Sequence, residues 1–357
     1  MQRFAYFSAL VVTIASTATA QQTTLSVGSA TASVGTTAYG NLSVPAGSDS
    51  ALEMPVAVIR GAKPGPVVAF VAGSHGTEYT SIIALQRLIS RIDPKTLSGT
   101  VIVAPLLNVP SFLSMTPHIN PIDRNGMNAG YPGDANGTQT ARALALVQQQ
   151  IVVPADVVVD LHGGDLDEDL RPYSYWFRGG RPAQDSAGLR LVMAFGLDHI
   201  IVNDIDAKSN PGRSLSSQAL VKGKTVLVAE AGRSGVVTPA DVNALINGSL
   251  NVLGELKMIP RTVAIVKNPV WLSGASPRIT AKQAGVFSAA VARDTRVKKG
   301  QILGHMTDFL GRPIGDVRSE IDGLVTFIRG VPSMWTGATL ATVLPVLTKP
   351  EPWKAPQ

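Results

Sequence analysis

The chain of 357 residues contains no cysteine. That absence excludes disulfides, thiolate metal sites, thiol catalysis and a lipid-anchored cysteine at a signal cleavage point. Any metal must be held by histidine and carboxylate. Histidine itself is scarce, at five residues, and aromatic residues make up only 5% of the chain. Nucleic-acid binding needs a concentrated basic face, usually with stacking aromatics. Here residues 1–256 hold 17 Lys and Arg against 19 Asp and Glu, while 257–357 hold 14 against 6, and the longest basic run is Lys298-Lys299. So dispersed an excess predicts no nucleic-acid partner. The chain also lacks the Gly-x-Ser-x-Gly turn of serine hydrolases. Gly223-Lys224-Thr225 hints at a P-loop, but Gln218 stands where the first glycine belongs and the segment precedes a strand. After the first twenty residues no apolar run approaches a membrane-spanning length, so no spanning helix is expected.

The first twenty residues have the order of a secretory signal: Arg3, an apolar stretch from Phe4 to Ile14, then Ala18-Thr19-Ala20 as a small-residue cleavage site. An exported protein, periplasmic or secreted after cleavage near Ala20, is expected. Thr23–Thr37 is rich in Ser, Thr and Gly and reads as a loose lead-in. From about residue 55 to 250, runs dense in Val and Ile alternate with helix-like segments. The runs "PVVAFVAG" (66–73), "GTVIVAPLLN" (99–108), "ADVVVDLHGG" (155–164) and "KTVLVAEAG" (224–232) are bounded by Gly, Pro or Asn, as buried strands should be. Between them, "TSIIALQRLISRI" and "TQTARALALVQQQIV" place apolar residues at helical spacing. This pattern predicts an α/β layer structure with a mostly parallel sheet. Residues 270–344 change character, with short β-prone pieces between Gly-containing turns, and predict a small all-β domain resembling the barrel-sandwich of carrier domains. Those carriers modify a lysine in a tight turn; Ile321-Asp322-Gly323 offers none, so the module reads as structural. The expected division is a signal peptide at 1–20, an α/β domain at 21–258 and a β-rich domain at 259–357.

In parallel sheets, ligands sit beyond the carboxyl ends of the strands. Three of the four runs carry polar residues there: His75 and Glu78, Asp160 and His162, and Glu230. A catalytic zinc site takes three His or carboxylate ligands and keeps one position open. His75 and Glu78 can clasp one ion from a single turn, or they can be two unrelated loop residues. His162 leaves a matching strand end, and Asp160 can orient a histidine or serve as a core or capping hydrogen-bond group. Glu230 suits a proton carrier facing the metal's water, or alternatively a buried ion pair with Arg233. His199 and His305 lie in apolar contexts and read as structural; His118, in a polar loop, can line a pocket.

Four stretches occur in order: "AGSHGTEYTSIIAL", "NPIDRNGMNAGYPGD", "DLHGGDLDEDLRPY" and "VLVAEAG". Together they resemble the succinylglutamate desuccinylase/aspartoacylase branch of the zinc carboxypeptidase-like hydrolases, from about Pro55 to Leu344. The resemblance implies a three-layer α/β fold with a mixed, mostly parallel sheet. It implies one zinc ion per chain on His75, Glu78 and His162, and Glu230 as general base and acid for hydrolysis of a small-molecule acyl amide. Asn128 keeps its place at the substrate, but the arginine that follows it in the family is Ala129 here. The family's preceding arginine, for the oxyanion, also has no counterpart around Met115, Thr116 and Pro117. Arginine gives a bidentate, permanently charged contact that neither Ala nor Pro supplies. A neutral or different acyl amide is therefore expected ahead of an N-acyl amino acid. Arg124, Arg171 and Arg178 are candidate replacements, with His118 a candidate for the oxyanion and Tyr173 a further candidate at the substrate. The alternative is a non-catalytic exported binding protein on the same fold, against which retention of Glu230 argues.

Overall fold

The computed structural model describes residues 24–208 and 210–353. The signal segment lies outside these residues. A ten-stranded mixed sheet forms the centre, in the order Val346–Leu347, Val270–Ser273, His199–Asp204, Tyr173–Arg178, Thr225–Glu230, Val157–His162, Lys63–Ala72, Ser98–Ala104, Leu52–Arg60, Thr36–Val44. The four runs dense in Val and Ile supply four neighbouring strands, all mutually parallel. Their residues are buried on both faces because helices cover both. Tyr79–Ile89, Pro182–Phe195 and Pro239–Glu255 pack on one side through Leu85, Leu88, Phe195 and Leu245, against Phe70, Val159 and Leu227. Gln139–Val147 and Leu215–Val221 pack on the other through Leu144, Leu215 and Ala219, against Val71, Val158 and Val228. The result is an α/β/α sandwich.

Residues 24–33 depart from the loose lead-in that their composition predicts. They form an antiparallel hairpin, Thr24–Val27 with Ala30–Ser33, leading into the edge strand Thr36–Val44. Alternation explains it: Val27, Ala30 and Ala32 are buried while their polar neighbours face water. Small side chains serve the buried face as well as large ones where the neighbouring layer is close. The helix-like segment at 138–152 is helical from Gln139 to Val147 and then widens into a π turn over Gln148–Val152.

The C-terminal region is a two-sheet β sandwich around Phe287, Leu303, Val317, Val325, Ile328 and Leu340. Two pieces beyond residue 258, Val270–Ser273 and Val346–Leu347, belong to the large sheet. The exchange also runs the other way. Glu168–Leu170, six residues beyond His162, pairs antiparallel with Gly323–Arg329 and so joins the sandwich. Ion pairs flank this strand on alternate residues: Asp167 with Arg329, Asp169 with Arg293, and Arg171 with Asp294. The alternation reflects the two-residue period of a strand, which presents every second side chain to one face. Leu170, buried in the seam, carries the apolar part of the contact. Leu170→Ala should lower stability by about 2–5 kcal/mol and speed hydrogen exchange in Gly323–Arg329; an unchanged denaturation midpoint would show that the seam carries no such load.

Candidate metal centre and catalytic cavity

Parallel register brings the strand-end residues together. Ala72 pairs with Leu161, and His162 lies directly opposite Glu230. The turn after Ala72 then folds back so that Glu78 starts the helix Tyr79–Ile89. A Cβ on Gly76 would lie 2.3 Å from Phe112 N and 2.5 Å from Asn108 O, so only glycine permits this close approach. The turn places His75 Nδ1 2.6 Å from Glu78 Oε1, while His162 Nδ1 lies 3.0 Å from Glu78 Oε2. One atom from each of the three residues falls within 4.8 Å of the others, and Glu78 and His162 are buried. Among the described residues, His118 forms two further His–carboxylate groups, with His75 and Asp165 and with Asp167 and Glu168. Asp167 is already paired with Arg329, and Asp165 accepts from Thr77 Oγ1 and the His118 amide. His75, Glu78 and His162 therefore fit a metal ion best: two neutral-capable imidazoles and one carboxylate, with cavity on the open side.

The electrostatics agree with the geometry. Burial alone would raise the Glu78 pKa, but His162 and His75 outweigh it and hold the carboxyl at about 2. Burial pushes His162 down, yet Glu78 and Asp160 raise it well above its ordinary value. Asp160 Oδ1 stands 3.3 Å from His162 Nε2, and its other oxygen accepts from Ser216 Oγ at 2.9 Å. A carboxylate on the nitrogen away from the metal fixes the ring and its tautomer. Glu230 shows the opposite behaviour to Glu78. Burial lifts it, His162 pulls it down, Glu78 and Glu168 lift it further, and the balance stands at about 8. Its partner is the Tyr173 hydroxyl, which donates to Oε2 at 3.1 Å. The ion pair with Arg233 does not form.

The cavity over this centre has a volume of about 610 Å³ and is lined by residues of the α/β sandwich and of the C-terminal β region, including His118, Asn128, Tyr173, Arg278, Arg329 and Trp335. His118 meets His75 edge-on, with ring centroids 5.6 Å apart, and its Nε2 lies 3.0 Å from Asp167. Asn128 lines the cavity with a buried Oδ1 that has no partner. The three candidate arginines do not reach it. Arg124 is exposed in its loop, Arg171 is held by Asp198 and Asp294, and Arg178 by Asp204 and the Glu351 carbonyl. Each of the last two found a carboxylate closer at hand. A second chamber of about 400 Å³ meets the first at Asn128, Ala129, His162 and Glu230, and Arg213 lines it beside Ser214 and Ser217. The Arg213 guanidinium forms no ion pair among the described residues. Sequence reasoning missed Arg213, Arg329 and Trp335. A lone arginine after Pro-Gly was the only local sign of the first, and nothing local marked the others.

Residues 64–256 match the succinylglutamate desuccinylase/aspartoacylase catalytic domain. The chain is 27% identical over 319 residues to the N-alpha-acetyl-L-2,4-diaminobutyric acid deacetylase of Halomonas elongata, an alignment covering 87% of this chain and 92% of that protein. The succinylglutamate desuccinylase/aspartoacylase structure from Rhodobacter sphaeroides is similar with a TM-score of 0.77 at 25% identity, covering 88% of this chain and 96% of the other. The product-bound ectoine utilization protein EutE (DoeB) from Ruegeria pomeroyi gives 0.78 at 23% identity, over 87% and 95%. These likenesses bear out the α/β fold with its C-terminal all-β region.

Because Glu78 and Asp160 favour the protonated form of His162, a proton competes with a metal ion for this ring. Affinity for a divalent transition metal should therefore fall on acidification, by up to about tenfold per pH unit once the ring is protonated. Competition titration with a chromogenic chelator reads this directly, and a pH-independent affinity would contradict the assignment of His162 as a ligand.

Proposed function

The chain belongs to the succinylglutamate desuccinylase/aspartoacylase family, and on that premise we propose that it is an exported, zinc-dependent hydrolase of the amide bond in an N-acyl amino acid or related acyl amide. The observation that carries this reading is the placing of two unlike glutamates around one histidine, Glu78 against its ring and Glu230 beside it on the next strand. Glu78 is held ionised between two histidines, while Glu230, opposite His162, is held near neutrality. A ligand carboxylate must be charged, whereas a group that takes a proton and returns it works best with a pKa near the operating pH. Two carboxyls with separated roles are what amide hydrolysis needs.

A zinc ion on His75, Glu78 and His162 would polarise the amide carbonyl and make an attacking water more acidic. The protein's own groups do the rest. Glu230, oriented by the Tyr173 hydroxyl, accepts the water's proton and delivers it to the departing amine nitrogen. Asp160 keeps the His162 ring in its ligating orientation. Asn128, with its free Oδ1, is positioned to accept from a substrate N–H. Arg213 supplies a positive charge in the chamber beside Ala129, which supports recognition of a carboxylate on the amine half of the substrate. That support reverses the preference for a carboxylate-free amide which Ala129 alone suggests. A non-catalytic binding protein has no use for a carboxyl tuned as Glu230 is.

Zinc-loaded protein should hydrolyse N-acyl amino acids, and Glu230→Gln should keep one zinc while losing turnover by roughly a hundredfold or more. Near-normal turnover in that variant would overturn the mechanism. Arg213→Ala should raise KM about tenfold or more for carboxylate-bearing substrates and leave the corresponding amides nearly unaffected. Equal effects on both would remove Arg213 from substrate recognition.

A further inference from the structure

The catalytic cavity does not end at the metal centre. Its outer wall includes Trp335, which is 57% exposed and also lines an adjoining cleft of about 390 Å³ with Val286, Phe309, Pro332 and Met334. All five carry apolar side chains, and Gly285 and Ser333 complete the cleft without a charge, whereas the chamber beyond His162 and Glu230 sets Arg213, Asn203 and serines beside Phe177, Ile205 and Val228. Large exposed apolar groups on a soluble surface need an explanation when they cluster. Here Phe309 is 77% exposed and its neighbour Leu310 79%.

Neither aromatic is exposed through looseness. Phe309 and Leu310 sit at the tip of a turn closed by Asp308, whose Oδ1 accepts from the Leu310 and Arg312 amides, each at 2.9 Å, while Oδ2 accepts from Arg312 Nε at 2.6 Å. The Asp308 and Arg312 backbones are also bonded, at 2.9 Å. The Trp335 ring lies against the Arg329 guanidinium, 5.4 Å from its centroid, and Arg329 is anchored by Asp167. Rigid presentation lowers the entropic cost of binding an apolar group between them.

We propose that the cleft of Trp335, Phe309, Val286, Pro332 and Met334 is an acyl-chain subsite continuous with the catalytic cavity, and that the preferred substrate carries a linear apolar acyl group longer than acetyl. The inference rests on the amide-hydrolase reading of the site. Charge sets the direction: the chamber with Arg213 takes the carboxylate-bearing amino-acid half, and the uncharged cleft that adjoins the cavity at Trp335 takes the acyl half. A two-carbon acyl group would leave the outer cleft unfilled. Each methylene buried there should raise kcat/KM by about fourfold at most.

The test is a chain-length series on zinc-loaded, full-length protein: N-acetyl-, N-butyryl-, N-hexanoyl- and N-decanoylglycine. We expect kcat/KM to climb at least tenfold across the series, and Phe309→Ser to flatten the climb while acetylglycine kinetics stay unchanged. A second arm reads binding without turnover, by calorimetric titration of N-decanoylglycine and N-acetylglycine into zinc-loaded Glu230→Gln. The longer ligand should bind at least tenfold tighter, and Phe309→Ser in that background should abolish the difference. Chain-length-independent kinetics and binding overturn the subsite while leaving the hydrolase reading intact. Chain-length-dependent binding without hydrolysis of any member supports the subsite and overturns the hydrolase reading. Flotation with neutral phosphatidylcholine vesicles, lost in Phe309→Ser and joined to a flat series, would assign the patch to a lipid surface and overturn the acyl-chain proposal.

Discussion

A single buried carboxylate, Glu78, has each of its two oxygens against a different imidazole, and the geometry of the site follows from that arrangement. A carboxylate withdrawn from water without partners would carry a penalty of several kcal/mol. Meeting it requires His75 from the same turn and His162 from a strand 84 residues further along the chain. Both can arrive only if Lys63–Ala72 and Val157–His162 are parallel neighbours whose ends are level, and the turn between them must pass close against Asn108 and Phe112. Asp160 and Ser216 continue the polar chain into the sheet beneath His162. A string of closely spaced polar groups is thus embedded at the end of strands otherwise made of Val, Leu and Ala.

The same constraint separates the two glutamates. Glu78 and Glu230 both terminate or follow buried strands and both lose water, but only Glu78 has an imidazole against each of its oxygens. Glu230 stands beside His162 on the adjacent strand and shares its surroundings with Glu78 and Glu168, so negative neighbours add to the cost of ionising it. Identical side chains a strand apart acquire different protonation states from their neighbours alone. This is the usual way in which one scaffold keeps an acid and a base in the same pocket.

How much of this was legible in the sequence depends on the range over which each residue acts. His75, Glu78, His162 and Glu230 stand beside glycines at the ends of apolar runs, and the local pattern was enough to bring them into one site. The layered fold was legible for the same reason, since Val-rich runs and helical spacing are local signals. The hairpin at 24–33 was not, because its buried face uses alanines that composition does not distinguish from linker. The arginines show the harder limit. Arg171 and Arg178 lie near the site motifs in sequence, but Asp198, Asp294 and Asp204 hold them elsewhere. Arg329 and Trp335 reach the cavity through a strand pairing that joins residues 168–170 to 327–329. No short-range pattern reports such a pairing. The loss of charge at Ala129 was visible; the presence of Arg213 beside it depends on how a distant loop folds.

The exchange of strands between the two regions also bears on the order of assembly. The sandwich takes Glu168–Leu170 from the α/β half, and the large sheet takes Val270–Ser273 and Val346–Leu347 in return. Contacts of such sequence separation form late, because long loops must close before they are rewarded. The wall of the cavity that contains Arg329 and Trp335 is therefore completed only after nearly the whole chain is available. A chain halted before residue 323 could build the metal-ligand turn yet not the enclosure around it. Neither half can be transplanted as a cassette without cutting a sheet, so insertions and fusions in this lineage should be confined to the outer hairpins of the sandwich, where no strand is borrowed.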